Sequence, residues 1–421
     1  MKDTKLTNRQ IGNEIKPFFA SLLVGLEYFD YIIFPLLAKT FIEIFFKNQT
    51  QIWYINFLFF SLGSCLKIFG AIIFGYFFDI GNKLKIITLL AIIMVCATLS
   101  ICIMPTWLKM PFAAYYGVFF IARSAQALSI GADLPTATVY MYDQNQNSCK
   151  NVTKIIMSAT IGAIIAFIFV NLLTNFFDKT QIETFAWRIP LIFSTFIAII
   201  SLIGRRKNIK NSEKTKKIEK PLAKILSDFK IIKPLKLAKI ATILLFPLAL
   251  IDINLYFPFY FSTFFAVPIG KIYSYQLLSM FSSVIFNLIF LRFFTNFCLI
   301  RIRKLYAISI GIFIILTPFL PIISKKPLIF LILWQFFITF GLISGVFIVL
   351  SLLKIQMKSL FYGLIYNANF LITAAIPPIF IKIQNLQKKP EILFFLLTIL
   401  AIISLINLFT IKNFPNQSKI D

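Results

Sequence analysis

Long apolar runs alternate with short polar segments along the chain. Most runs hold about 20 residues, the length of helix that crosses the ~30 Å hydrocarbon core of a bilayer. The pattern predicts an all-α membrane protein with twelve transmembrane helices. The runs lie at residues 17–38, 52–78, 84–104, 111–141, 153–176, 187–204, 239–262, 273–296, 305–322, 327–353, 360–382 and 391–411.

A basic segment divides the predicted helices into two groups of six. Residues 205–238 begin with Arg205 and Arg206 and are rich in lysine. We therefore predict a six-helix bundle at residues 1–204, a linker at 205–238 and a second bundle at 239–421. A charged linker that fixes the topology is the simpler interpretation, and binding of anionic lipid is the alternative.

Positive charge is concentrated on the side of this linker, where Lys83, Lys85, Arg301 and Arg303 also fall. The positive-inside rule then places both termini and the linker in the cytoplasm. The first apolar run lacks an obvious small-residue cleavage site, so we interpret it as a membrane helix rather than a signal peptide. We expect a multi-pass protein of the bacterial inner membrane, with the lipid bilayer as its surroundings.

Composition excludes several kinds of chemistry. The 421 residues are 59% hydrophobic and contain no histidine, which excludes histidine metal ligands and histidine-dependent nucleophiles. The net charge of +26 lies mostly in short segments between apolar runs, so it indicates topology rather than nucleic-acid binding. The five cysteines show no CxxC spacing. We expect no metal and no cofactor.

A few charged residues fall inside the predicted helices. An ionised side chain at that depth costs at least a few kcal/mol and normally faces a cavity or a partner. These residues therefore predict a path for a polar solute. The acids are Glu27, Asp30, Asp133 and Asp252; the cations are Lys67, Arg123 and Arg292, with Arg188 at a helix start.

The first helix carries two of the acids. Glu27 and Asp30 are three residues apart and share a helix face, an arrangement that suits loading and release of a proton. An ion pair with Lys67 or Arg123 is the structural alternative, and the two interpretations are compatible.

Arg123, Gln126 and Asp133 follow one stripe of the fourth helix. The arginine could bind a substrate carboxylate or neutralise acids of the first helix. In the same helix, Gly131 and Pro135 predict close packing or a bend. From the second half, Asp252, Asn254 and Asn287 are candidates for polar lining, with local hydrogen bonding between helices as the alternative.

Five stretches resemble motifs of the major facilitator superfamily, and more narrowly of its metabolite:proton symporter branch. That branch includes proline/betaine and dicarboxylate transporters. The stretches are spread over most of the chain. They are Gly25-Leu-Glu27-Tyr-Phe-Asp30; Lys67-Ile-Phe-Gly70 with Gly75 to Asp79 and then Lys83 and Lys85; Arg123 to Asp133; Trp187-Arg188-Ile-Pro190; and Tyr362-Gly363 to Tyr366-Asn367.

The resemblance implies two pseudo-symmetric bundles around a central cavity and proton-driven uptake of a small polar or zwitterionic solute by a monomer. Glu27, Asp30 and Asp133 would then carry the proton and a substrate ammonium, and Arg123 would face a substrate carboxylate. Lys67, Gln126 and Asp252 complete the predicted binding set. Asp79 with Lys83 would gate the cytoplasmic side, and Arg188 is a further gating candidate.

Some positions depart from the family pattern. Asp133 stands in place of the usual Glu, Lys67 in place of the usual Arg, and the loop from Thr295 to Lys304 lacks the usual acid. A proton-independent facilitator or exporter, or a divergent sensor or relic, is therefore an alternative. A membrane-embedded enzyme is less favoured, because the chain contains no DxD or HxxxD motif.

Overall fold

The architecture was taken from a computed structural model of the protein. It describes residues 25, 28–30, 32–34, 36–37, 52–81, 83–104, 112–144, 147–209, 227, 233–376 and 391–411, and there is no strand within these ranges. Helix α1 is described at helical residues 25, 28–30, 32–34 and 36. The rest of the first half forms α2 (Ile52–Ile80), α3 (Lys83–Cys102), α4 (Phe112–Asp143), α5 (Ser148–Phe176) and α6 (Arg188–Ile209).

The second half begins with α7, which consists of the segments Pro234–Thr242 and Leu245–Phe265. It is bent by 43° between Pro234–Thr242 and Leu245–Pro258. The second half continues with α8 (Ile269–Phe293), α9 (Leu299–Leu316), α10 (Pro327–Leu352), α11 (Lys358–Ala374) and α12 (Glu391–Thr410). Within the described chain, seven helices are long and apolar enough to span a membrane, and the bent α7 makes an eighth candidate.

Several helices begin or end beyond the predicted boundaries. Helix α6 continues to Ile209 and α7 begins at Pro234, so both extend into the predicted linker at 205–238. Helix α9 begins at Leu299 rather than at 305 and includes Arg301 and Arg303. Basic residues at a helix end reach the membrane–water interface, so they mark the end of the hydrocarbon and not the end of the helix.

The bend in α7 is stabilised by side chains of three neighbouring helices. In a membrane, backbone groups at a helix break need hydrogen-bond partners from within the protein. Backbone carbonyls at the break accept hydrogen bonds from α11, α12 and α9, respectively: Asn369 Nδ2 to Ala241 (2.9 Å), Ser404 Oγ to Thr242 (2.7 Å) and the Tyr306 hydroxyl to Ile243.

Glycine allows α2 and α4 to approach closely. A Cβ atom at Gly131 of α4 would collide with the backbone of Lys67 on α2, and one at Gly70 of α2 would collide with the backbone of Leu128. The predicted close packing at Gly131 is therefore present. Contacts between the two halves run mainly along α2 with α11 and along α5 with α8.

Candidate functional site

A cavity lies between the two halves. Helices α1, α4 and α5 form one wall, and α7, α8, α10 and α11 form the other. The first wall is mostly aliphatic, with Ile32, Leu134 and Ile155 among its residues. None of the described residues that line the cavity is charged.

The second wall carries a group of neutral polar side chains. Gln335 and Thr339 lie one turn apart on α10, and Asn254 of α7 and Ser283 of α8 lie beside them. Gln335 Nε2 donates to Asn254 Oδ1 at 3.4 Å, and the Ser283 and Thr339 hydroxyl oxygens are 2.9 Å apart. Amides and hydroxyls both donate and accept hydrogen bonds, so this group can bind a polar solute.

A proline determines how Asn254 is held. Pro258 lies inside α7 and has no N–H to donate to the carbonyl four residues before it, which is that of Asn254. Gln276 of α8 supplies the missing donor, since its Nε2 lies 2.6 Å from the Asn254 carbonyl oxygen. A buried amide from a neighbouring helix therefore fixes the backbone at the cavity wall.

Asp30 belongs to a hydrogen-bond network inside the first half. Its side chain is 1% exposed, and its Oδ2 accepts from Thr98 Oγ1 of α3 at 2.7 Å and from Gln126 Nε2 of α4 at 3.2 Å. Its Oδ1 has no hydrogen-bond partner among the described residues. The residue of the α4 stripe that binds Asp30 directly is Gln126, and Arg123 binds Gln126 in turn.

Arg123 extends the same network and faces an aromatic ring. Its Nη1 donates to Gln126 Oε1 at 3.0 Å, and its Cζ lies 4.2 Å from the centroid of the Phe34 ring. Arg123 does not line the cavity, and neither do Asp30 and Gln126. The arrangement favours neutralisation of the first-half acids over direct contact with a substrate carboxylate.

Lys67 and Asp252 bring opposite charges together across the two halves. Both side chains are buried, with 8% and 4% exposed, and they are near enough for their charges to interact. Asp252 Oδ2 accepts from Thr373 Oγ1 of α11 at 2.5 Å, and Lys67 Nζ lies 5.7 Å from the Phe370 ring centroid. This pair lies beside the cavity-lining residues of α7 and not among them.

The remaining predicted charges lie elsewhere. Asp133 is 6% exposed on α4, two residues after Gly131. Arg292 is exposed in the last turn of α8. Glu27 lies outside the described residues.

A second proline affects α4. Pro135 cannot donate to the carbonyl of Gly131, and that oxygen instead accepts from Asn367 Nδ2 of α11 at 2.7 Å. The hydrogen bond joins the first half to the second half. Pro135 therefore leaves the Gly131 carbonyl without a helical donor, and Asn367, from a stretch that resembles a family motif, supplies one.

At the cytoplasmic end of α2 as predicted from topology, Asp79 binds the start of α11. Its carboxylate oxygens accept from the backbone N–H groups of Ser359 (3.2 Å) and Leu360 (3.0 Å). A carboxylate at a helix N-terminus satisfies unpartnered N–H groups and interacts favourably with the helix dipole.

Lys83 pairs with an acid that the sequence did not single out. Asp143, the last residue of α4, accepts from Lys83 Nζ at 3.4 Å and from Lys358 Nζ of α11 at 2.8 Å. The predicted run at 111–141 ended before Asp143, so the acid was assigned to a loop. One feature of the sequence could have identified Asp143: it is an isolated acid at the end of a predicted helix, on the side of the membrane where lysine and arginine are concentrated.

Arg188 lies within the first half. Its Nε donates to the Cys102 carbonyl at 3.1 Å and its Nη2 to that of Met104 at 2.7 Å, while its Cζ lies 4.3 Å from the Trp187 ring centroid. These contacts connect the start of α6 to the end of α3 and favour a structural role. Its role in gating stays a prediction.

Comparison with known proteins gives partial sequence matches to bacterial transporters. The chain is 28% identical over 177 residues to a "Putative proline/betaine transporter" of Staphylococcus haemolyticus. It is 24% identical over 217 residues to the alpha-ketoglutarate permease of Escherichia coli and 27% identical over 196 residues to the citrate-proton symporter of Klebsiella pneumoniae. These matches cover 41%, 49% and 43% of this chain, and 37%, 48% and 42% of the relatives.

The fold matches solved transporter structures over nearly the whole chain. The proton:xylose symporter XylE superposes with a TM-score of 0.72 at 12% identity, covering 94% of each chain. FucP in the outward conformation gives a TM-score of 0.67 at 13% identity, covering 94% of this chain and 98% of that chain. At this identity the likeness shows the fold alone, and it confirms the predicted twelve-helix all-α membrane fold.

The family assignment comes from the sequence. Residues 18–377 match the model of the Major Facilitator Superfamily, which is well over half of the chain. Members of this family are transporters and not enzymes, as the sequence predicted. The chain therefore belongs to the major facilitator superfamily of multi-pass membrane transporters.

Proposed function

We propose that the protein takes up a small polar or zwitterionic solute together with protons across the bacterial inner membrane, by alternating access. Both termini lie in the cytoplasm in this proposal. The buried Lys67–Asp252 interaction carries it, because it places titratable groups of opposite charge on opposite halves, next to the cavity. A proton that binds there changes the attraction between the halves directly.

The coupling step follows from this position. A proton on Asp252 removes its negative charge, and the attraction to Lys67 is lost with it. The electrostatic attraction between α2 and α7 is then weaker, and the halves can separate more easily. Asp30 and Asp133, with Glu27, form the second set of proton-binding acids in this proposal, and Arg123 compensates their charge.

The cytoplasmic gate is formed by two anchors of α11 on the first half. Asp79 accepts hydrogen bonds from N–H groups in the first turn of α11, and Asp143 forms an ion pair with Lys358 of α11. Both contacts must break before solute can leave the cavity toward the cytoplasm. Lys83 supports the gate by pairing with Asp143, so the proposed gating unit is larger than Asp79 with Lys83 alone.

Uptake into proteoliposomes tests the proposal. Labelled proline, betaine, α-ketoglutarate and citrate are offered with an imposed proton gradient, which a protonophore then collapses. Accumulation of one solute above equilibrium, abolished by the protonophore, supports symport. Equilibration that is insensitive to the protonophore contradicts proton coupling and indicates a facilitator. Binding without any transport indicates a sensor.

A further inference from the structure

We infer that the cavity binds a solute without net charge, held by the neutral polar side chains of the second half. This inference rests on the proposed function, because it concerns the substrate of the same cavity. It distinguishes between two kinds of solute that appear in the names of the transporter relatives. One kind is proline or betaine, and the other is the carboxylates α-ketoglutarate and citrate.

The first observation is the absence of charge from the described lining. Three of the buried ions nearby have partners of their own: Asp30 binds Thr98, Arg123 stacks on Phe34, and Asp252 binds Thr373 within electrostatic range of Lys67. A di- or tricarboxylate against the described lining would lose its hydration without meeting a cation of that lining. That cost is prohibitive in a mostly apolar enclosure. An uncharged solute avoids the ionic part of it, and a zwitterion offsets part of it because its two charges attract each other.

The second observation is that the two walls differ in hydrogen-bonding capacity. On the first wall, the Thr138 hydroxyl donates to the Leu134 carbonyl at 2.6 Å and the Thr160 hydroxyl to that of Ile156 at 3.0 Å. Both threonine donors are therefore used within their own helices, and the Tyr28 hydroxyl is the other polar side-chain group on the described part of this wall.

On the second wall, four of the described amide and hydroxyl side chains bond to one another in pairs. Gln335 pairs with Asn254, and Thr339 pairs with Ser283. An amide has two donors and an acceptor with two lone pairs, so each pair keeps capacity for a further partner. The 3.4 Å separation of Gln335 and Asn254 is at the long end for such a bond, and a solute can replace it at little cost.

The shape of the solute follows from this asymmetry. One face of the solute carries hydroxyl, carbonyl or amide groups, or two charges that cancel, and meets Asn254, Gln335 and Thr339. Its opposite face is apolar and meets Ile32, Leu134 and Ile155. A solute that is polar on every side would leave groups unsatisfied against the first wall.

The experiment measures binding to the purified full-length protein by thermal stabilisation. The panel contains uncharged pentoses, polyols and amides, the zwitterions proline and betaine, and the anions α-ketoglutarate, succinate and citrate, at equal concentrations and ionic strength. We expect stabilisation by at least one solute without net charge and by none of the anions. Stabilisation by the anions alone, or by no solute without net charge, overturns the inference.

Matched variants then locate the bound solute. Thr339→Val removes a hydroxyl from the second wall, and Thr160→Val makes the same change on the first wall. We expect Thr339→Val and Gln335→Leu to weaken binding about tenfold or more, and Thr160→Val to change it less than about threefold. Equal effects of the two threonine variants, with all proteins monodisperse and equally stable without ligand, contradict the assignment.

Transport is measured separately in the same preparations. A carboxylate that accumulates with the proton gradient leaves the proposed symport intact and overturns the inference about charge. An uncharged or zwitterionic solute that binds through Gln335 but is not accumulated supports the inference and contradicts proton-coupled uptake. The two proposals therefore fail in distinguishable ways.

Discussion

The first half of the protein holds its buried polar side chains in a charged network, whereas the second half presents neutral ones to the cavity. Asp30, Gln126 and Arg123 bind one another behind the first wall. Asn254 and Gln335 face the cavity from the second wall. The difference teaches that two bundles of similar architecture can differ in the side chains that they present to a shared cavity.

The two prolines sharpen this contrast. Each leaves a carbonyl without a helical donor, and each carbonyl is taken by a side-chain amide. In the second half the donor to Asn254 is Gln276, which belongs to the same bundle. In the first half the donor to Gly131 is Asn367, which belongs to the opposite bundle. Only the second of these bonds has to break if the bundles rock apart.

The largest expected effect comes from Asp252→Asn, which removes the charge that faces Lys67. We expect gradient-driven accumulation in proteoliposomes to fall to the level of empty liposomes, because the variant cannot take up and release a proton at this position. Exchange of solute between the two sides should persist. Accumulation at the wild-type level would contradict a role of Asp252 in coupling, and Thr373→Val serves as a control that keeps the charge.

A smaller effect is expected from Asn367→Leu, which removes the donor to the Gly131 carbonyl. An unsatisfied buried carbonyl costs about 1–3 kcal/mol, so the balance shifts about 5- to 150-fold toward the form open to the cytoplasm. The measurement is labelling of Val346→Cys by an impermeant thiol reagent from the cytoplasmic side, in a background without the native cysteines.

Asn369→Leu is the matched control for that change. Its side chain donates to Ala241 and Ile365, both within the second half. We expect this variant to lower thermal stability without faster labelling. Equal labelling of the two variants would show that the Gly131 contact does not hold the halves together.

Asp143→Asn should open the gate more weakly. The side chains of its two ion pairs are 19–35% exposed, and pairs of that kind contribute at most about 1 kcal/mol each. We expect labelling of Val346→Cys to rise less than about 30-fold, and the difference from wild type to shrink at high salt. A rise in labelling as large as that expected for Asn367→Leu, and independent of salt, would contradict this estimate.

The smallest effect is expected from Arg123→Lys. The charge is kept, while the planar contact with Phe34 and the fixed bond to Gln126 are weakened, at a cost of about 0.5–1 kcal/mol. We expect a melting temperature lower by no more than about 2–4 °C and uptake close to wild type. Arg123→Met, which leaves Asp30 without compensation, should lose most uptake.

Sequence alone was sufficient for the helices, but not for the direction in which their buried charges point. The length of an apolar run predicts a membrane-spanning helix because the thickness of the bilayer fixes the length that is needed. The ends of α2 and α10 lie within two residues of their predicted positions. The break in α7 was missed, because both its segments are apolar and its partners come from α9, α11 and α12.

The direction of each buried charge depends on helix rotation, which hydropathy does not encode. Of the predicted stripe of α4, Arg123 and Gln126 bind each other. Whether Arg123 faces the cavity or Phe34 is decided by how Gly131 packs on α2, a contact between residues far apart in the chain. The polar residues Gln335 and Thr339 were missed, since uncharged side chains within an apolar run give little signal.

The uncharged wall around Gln335 also determines how such a transporter responds to voltage. If the solute brings no net charge and the proton brings one, every cycle moves a positive charge inward and generates a current. The membrane potential then adds ~2.3 kcal/mol per 100 mV to the chemical gradient, which corresponds to about a 50-fold concentration ratio. A dianion carried with two protons moves no net charge, so the membrane potential would contribute nothing to its accumulation.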